Sequence, residues 1–129
     1  LGILAMQSKS MQYNQSAHIY SQAIYLANDI AERIRLNPAQ ASVYAGTYNG
    51  APQAPSTTCT AGACSADVLA AWDKSEWNNL IAKTLPAGQA EIAVVSGGEA
   101  VKVEVSFDDS RSESSETEVL KTYSLVVGL

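Results

Sequence analysis

A chain of 129 residues is long enough for one domain with one core, and its 47% hydrophobic content can fill that core. Its net charge of −5, with eight scattered Lys and Arg against thirteen Asp and Glu, excludes the clustered basic surface that a nucleic-acid partner demands. A mean hydropathy of −0.03, with no apolar run of about 18 residues, excludes a membrane span within these residues.

The first predicted element is a long helix. Apolar or small residues recur at Ile3, Met6, Ser10, Tyr13, Ala17, Tyr20, Ile24, Ala27, Ala31 and Ile34 in steps of three and four, and no Gly or Pro interrupts them between Gly2 and Pro38. At 1.5 Å per residue the segment is roughly 54 Å long. A compact domain of this size is only about 36 Å across, so its own globule cannot cover the whole helix. In the second half the stripe widens to take in Ile19, Ala23, Leu26 and Ile30, the breadth a helix needs to lie on a sheet. The pairs Asp29/Arg33 and Glu32/Arg35 are read as a solvated charged face. The helix is expected to end near Leu36, because Asn37 precedes Pro38. The start at Leu1, without an initiator Met and almost wholly apolar through Met6, reads as a truncation of a longer apolar helix.

Residues 38–64 read as one long loop, with Gly46, Gly50, Pro52, Pro55 and a Ser/Thr cluster. The only cysteines, Cys59 and Cys64, lie at its far end among small polar residues. A disulfide there closes a very short ring, worth about 2 kcal/mol in the chain-entropy model, and points to an oxidising compartment. The alternatives are a metal pair, for which His18 is the only histidine in the chain, and a redox dithiol, which normally has two intervening residues rather than the four seen here.

Ser65 then reads as an N-cap, with Asp67 in the first turn of a second helix anchored by Val68, Leu69, Trp72, Leu80 and Ile81. Ser75-Glu76 is a candidate break within it, and Leu85-Pro86-Ala87-Gly88 is its stop. From Gln89 the period falls to two. Ile92 and Val94 alternate with polar or small residues, Gly97-Gly98 supplies a hairpin turn, and Val101, Val103, Val105 and Phe107 alternate with Lys102, Glu104 and Ser106. Asp108 to Thr117 is a polar acidic loop, and a last strand from Glu118 to about Val127 puts Val119, Tyr123, Leu125 and Val127 on one face. The fold class is therefore α+β: a long N-terminal helix on an antiparallel sheet of at least three strands, with a short helical insert.

No constellation in the chain carries catalysis: no Ser or Cys lies in a nucleophile motif and no acid–base pair or cofactor loop is recognisable. Catalytic, cofactor and metal sites are all read as none, and the protein as not an enzyme. His18 reads as a helix-surface histidine, Trp72 and Trp77 as packing residues rather than a sugar platform, and Asp108, Asp109, Glu113, Glu116 and Glu118 as a solvated loop rather than a calcium site.

This arrangement resembles the type IV pilin fold. The run from Tyr25 to Pro38 (Tyr-Leu-Ala-Asn-Asp-Ile-Ala-Glu-Arg-Ile-Arg-Leu-Asn-Pro) is similar to the helix end of the PilV family, the type IV pilus modification proteins, which are minor pilins. The Cys59/Cys64 pair and then Ala70, Asp73, Trp77, Leu80, Leu85, Pro86 and Gly88 follow that family's order, whereas Phe107 stands where the family often has Trp. The resemblance covers residues 1 to about 107. It implies a single pilin-like domain over residues 1–129, in which 1–17 form a projecting spine and 18–129 the globular part.

It also implies a function: a structural subunit that helps to initiate the type IV pilus and sits in a tip complex. Its partners would be other minor pilins and the major pilin, and the inner membrane through an absent N-terminal segment. It would face the periplasm before assembly and stand on the cell surface in the pilus afterwards, while this fragment is soluble. The expected filament-contact stripe is Ile3, Met6, Ser10, Tyr13 and Ala17, with Ile24, Ala27, Ile34, Val101, Val103 and Val105 forming the protomer's own core. The alternatives are a type II secretion minor pseudopilin, and a tip adhesin or ligand-binding domain that uses residues 38–64 or the two tryptophans.

Overall fold

The computed structural model describes the backbone of residues 2–51, 59, 64–109 and 120–129, and all of their side chains except those of 2–10, 12 and 13. In chain order the elements are α1 (Gly2–Arg35), a 3-10 turn (Pro38–Gln40), α2 (Ala41–Tyr44), β1 (Gly46–Tyr48), α3 (Ala66–Thr84), β2 (Gln89–Val95), β3 (Ala100–Asp108) and β4 (Leu120–Gly128). The four strands form one sheet in the order β1-β2-β3-β4, antiparallel throughout. The fold is α+β and has the architecture of a type IV pilin.

α1 is unbroken for 34 residues, about 51 Å at the usual rise. Its buried side comprises Ile19, Ala23, Leu26, Ala27, Ile30, Ala31 and Ile34: the four residues that widen the stripe in the second half, with Ala27, Ala31 and Ile34 of the stripe itself. Ile24, expected in the core, is only half-buried, and Tyr20 is 39% exposed. Each residue turns the helix by about 100°, so Ile24 stands well round from fully buried Ala23, at the margin of the buried side.

The sheet supplies the other half of the core. Val101, Val103, Val105 and Phe107 of β3 are all fully buried, alternating with half-exposed residues as the period-two pattern requires. Ala90 and Ile92 of β2 join them, and Tyr123, Leu125 and Val127 of β4 pack from the edge. Val119 lies outside the described residues. Tyr20 meets Phe107 and Tyr123 edge-on, each at 6.1 Å between ring centroids, and so seats the middle of α1 on β3 and β4. The β2–β3 hairpin turns through Gly97 and Gly98 at φ of 64° and 96°, where a side chain would be strained.

Two expectations are corrected. Residues 38–48 are not loop: they hold the 3-10 turn, α2 and the first strand of the sheet, whose register sets Gly46 opposite Ile92 and Tyr48 opposite Ala90. Tyr44 and Tyr48 are both buried, and their aromatic area draws this segment onto the core. The second correction is that α3 runs through Ser75-Glu76 without a break, because Asp73, Trp77 and Ile81, four residues apart, all face inward.

Candidate assembly interface

Besides the sheet, α1 is held by side chains of α3. Trp77 is fully buried, its Nε1–H donates to the Leu26 carbonyl at 2.8 Å, and its ring stands edge-on to Tyr48 at 5.0 Å. Below it, Arg33 reaches off α1 to Asp73 at 3.0 Å and Glu76 at 3.3 Å on α3, while its Nε bonds Asp29 at 3.2 Å. The Arg33 side chain is only 19% exposed, so the solvated face expected for Asp29/Arg33 is instead an inter-helix clamp. The exposed pair Glu32/Arg35, at 3.3 Å, does match that expectation. Burial by itself would lower the Arg33 pKa, but the hydrogen-bonded Glu76 and Asp29 carboxylates outweigh it and hold the guanidinium charged more firmly than usual.

The second oxygen of Asp73 accepts from the Tyr44 hydroxyl at 2.7 Å. Asn37 donates to the Ala66 carbonyl at 2.8 Å and to Tyr44 at 3.4 Å, and the Tyr48 hydroxyl donates to the Tyr44 carbonyl. Burial pushes both tyrosine pKa values up, reinforced at Tyr44 by its bond to Asp73 and at Tyr48 by neighbouring Tyr44. Farther along α3, the Asn78 amide accepts from the Gly50 N–H at 3.2 Å and donates to the Ala51 carbonyl at 2.7 Å. These bonds tie α1, α2, β1 and α3 to one another within the chain, and among the described residues the second carboxylate oxygen of Glu76 is buried without a hydrogen-bond partner.

The Leu85-Pro86-Ala87-Gly88 element is read by the same geometry. A Cβ on Gly88 would lie 2.8 Å from the Ile81 carbonyl oxygen, and one on Gly50 would lie 2.7 Å from the Gly88 oxygen. Two backbones approach here closer than any side chain allows. Asp108 N–H then bonds the Pro86 carbonyl at 2.9 Å and ties this corner to the end of β3.

The surface left over is the outer side of α1. Among the described residues ahead of Ile19, Met11, Asn14, Gln15, Ala17 and His18 are exposed, and Ser16 is half-buried, donating to Asp109 at 2.6 Å. On the solvent side of the later turns Tyr25 is 66% and Leu36 85% exposed. Together with Met11 they fall on one face, since 14 and 11 residues are both close to whole numbers of helical turns. Of the stripe Ile3, Met6, Ser10, Tyr13 and Ala17, all five lie on α1, but only Ala17 has a described side chain.

A family model described as type IV pilin Tt1218 matches residues 5–75, from α1 into the first half of α3 and more than half of the chain. The chain belongs to the Tt1218-like type IV pilin family. No curated protein and no solved structure gives a significant match. A type IV pilin is a structural subunit, and the matched span contains both partners of the Arg33–Asp73 clamp.

The remaining candidates fall into place around that family assignment. Cys59 and Cys64 are joined in a disulfide, with Cα atoms 5.7 Å apart. Trp77 is sealed in the core and Trp72 half-buried, so the two form no shared sugar platform. His18 lies on the surface beside Asn14 and Gln15. Asp109 is buried against Ser16 rather than solvated, while Glu113, Glu116 and Glu118 lie outside the described residues. Among the described residues no group of three His, Cys, Asp or Glu is gathered as metal ligands, and no helix is long and apolar enough to cross a membrane. Sequence reasoning missed β1 and the Arg33–Asp73–Tyr44 junction. The usable signal was the pair Tyr44/Tyr48, two large aromatics in a segment otherwise of small and polar residues.

Proposed function

We propose that this pilin is a minor pilin, a subunit that joins other minor pilins in the complex that initiates the type IV pilus and remains at its tip. An apolar segment preceding Leu1 would hold it in the inner membrane, facing the periplasm, until assembly carries it to the cell surface. The observation that carries this reading is the division of α1. From Ile19 onward one side of the helix is buried in its own protomer, while the described side chains ahead of it stay exposed apart from half-buried Ser16. The likeness of Tyr25–Pro38 and of Ala70, Asp73, Trp77 and Gly88 to the pilus modification proteins supports a minor over a major subunit. In the pilus, the stripe Ile3, Met6, Ser10, Tyr13 and Ala17 would pack against neighbouring helices, as a projecting spine of residues 1–17.

A clean deletion of the gene tests the role. Surface pili counted by electron microscopy should fall sharply, with recovery on complementation and the major pilin still present in the membrane. Normal piliation with lost adhesion would replace the priming role with that of a tip adhesin. Normal piliation with a secretion defect would assign the protein to a type II secretion pseudopilus.

A further inference from the structure

Beside β1 lies an open groove of about 420 Å³, walled on its far side by α3. Thr47 and Tyr48 point to opposite faces of the sheet, yet both line it. A hollow that touches both faces of one strand runs along that strand's edge. β1 is the outermost strand and pairs only with β2 in the described sheet, so the groove presents backbone donors and acceptors that a further strand would take up.

The opposite wall carries Lys74, Ser75 and Asn78. Lys74 is half-buried, with its Nζ 5.7 Å from the centroid of the Tyr48 ring. Among the described residues it meets no carboxylate: its neighbours Asp73 and Glu76 both turn to Arg33. Asn78 is spent on Gly50 and Ala51, and the Asn49 side-chain oxygen accepts from the Ala51 N–H at 2.9 Å, which leaves Thr47 and Ser75 as the neutral hydroxyl groups of the groove. A strand edge facing a helix wall whose lining cation, Lys74, meets no carboxylate among the described residues is a layout suited to an extended peptide, with main-chain pairing on one side and a single charge contact on the other.

We propose that this groove binds an extended segment of another polypeptide, laid along the free edge of β1, with an Asp or Glu side chain reaching Lys74. The size fits. A volume of 420 Å³ lies in the lower range of binding clefts, about 300–1,000 Å³, and β1 is three residues long. The inference rests on the groove alone and stands or falls separately from the pilus role.

Main-chain pairing tolerates varied side chains, so a small panel of probes suffices: blocked pentapeptides of alternating Thr and Val, with one Glu walked through the five positions. Amide shifts of isotope-labelled protein should move over residues 43–49 and 71–78 for at least one register. Changing that Glu to Gln, or Lys74→Gln in the protein, should weaken binding about tenfold, the size of one charge-assisted bond. Lys74→Arg should retain it, and unchanged melting curves show that both variants fold. Methylating alternate peptide nitrogens gives two patterns, one blocking each edge of the bound strand. One should abolish binding and the other should not. Equal binding by both patterns, indifference to the Glu or to Lys74, no shifts for any register at millimolar peptide, or equal competition by free glucuronate would each overturn the proposal.

Discussion

Trp77 shows how one residue ties two helices. Its indole fills the space between α1 and β1 and donates to the Leu26 carbonyl. Trp77→Phe keeps most of the aromatic area but loses the bond and leaves a gap, so it should cost about 1–3 kcal/mol, and Trp77→Ala about 3–5. Urea midpoints at an unchanged slope would check both, and a loss below about half a kcal/mol for Trp77→Ala would contradict the packing described. Tyr44 and Tyr48 carry a pH signature. Unfolded, each ionises near 10; folded, each keeps its proton to higher pH. The native state therefore binds more protons in that interval, and its stability is complete below about pH 10 and declines as pH rises beyond. Melting temperature should be flat between about pH 7 and 9 and fall above 10. Tyr48→Phe should melt lower at neutral pH, for want of the bond to Tyr44, yet lose stability less steeply in alkali.

At the scale of elements, the corners decide how rigidly the pieces meet. Gly88→Ala places a methyl 2.8 Å from the Ile81 carbonyl, so the end of α3 must shift away from β2; the expected cost is about 1–3 kcal/mol. Gly97→Ala meets nothing within 4 Å and is penalised only by its positive φ, so it should cost less, about 1 kcal/mol. Comparing the two by thermal melting separates close backbone approach from conformational strain. The Cys59–Cys64 disulfide should show no free thiol in denatured, unreduced protein. Its reduction should remove about 2 kcal/mol in urea titration, because the ring it closes is short.

At the scale of the whole molecule, the two halves of α1 should respond differently to charge. Val103→Asp puts an unpaired carboxylate among fully buried side chains, and the domain should unfold. Tyr13→Asp, introduced into the protein expressed from its own gene, should leave the circular dichroism of the globular part unchanged while pilus number falls. If Tyr13→Asp unfolded the domain as Val103→Asp does, the division of α1 between spine and core would be wrong. Tyr25→Asp, on the exposed face, should likewise leave the fold intact; a drop in pilus number would extend the contact surface to the globular end.

The sequence by itself determined the elements whose periodicity is set by one long interface. The three-and-four spacing of α1, the alternation of Val101 to Phe107 and the Gly97-Gly98 turn each encode geometry locally, because a helix or strand must repeat to bury one side. The Cys59–Cys64 disulfide was legible for a different reason: the chain has two cysteines, five positions apart, and no third Cys beside them. β1 was not legible, since three residues carry no period and Tyr48 is held by Trp77, twenty-nine positions away. Nor was the Arg33 clamp: Asp29 lies one turn before Arg33 on α1 and looks like a sufficient partner, while Asp73 and Glu76 join it only when α3 docks. Which side of α1 would be buried was also a tertiary decision. The stripe allowed either Ile24 or Ala23 to lead; with α3 docked at Leu26 and Arg33 on one flank and Tyr20 set against Phe107 and Tyr123 on the other, Ala23 is sealed between them and Ile24 is left half-buried.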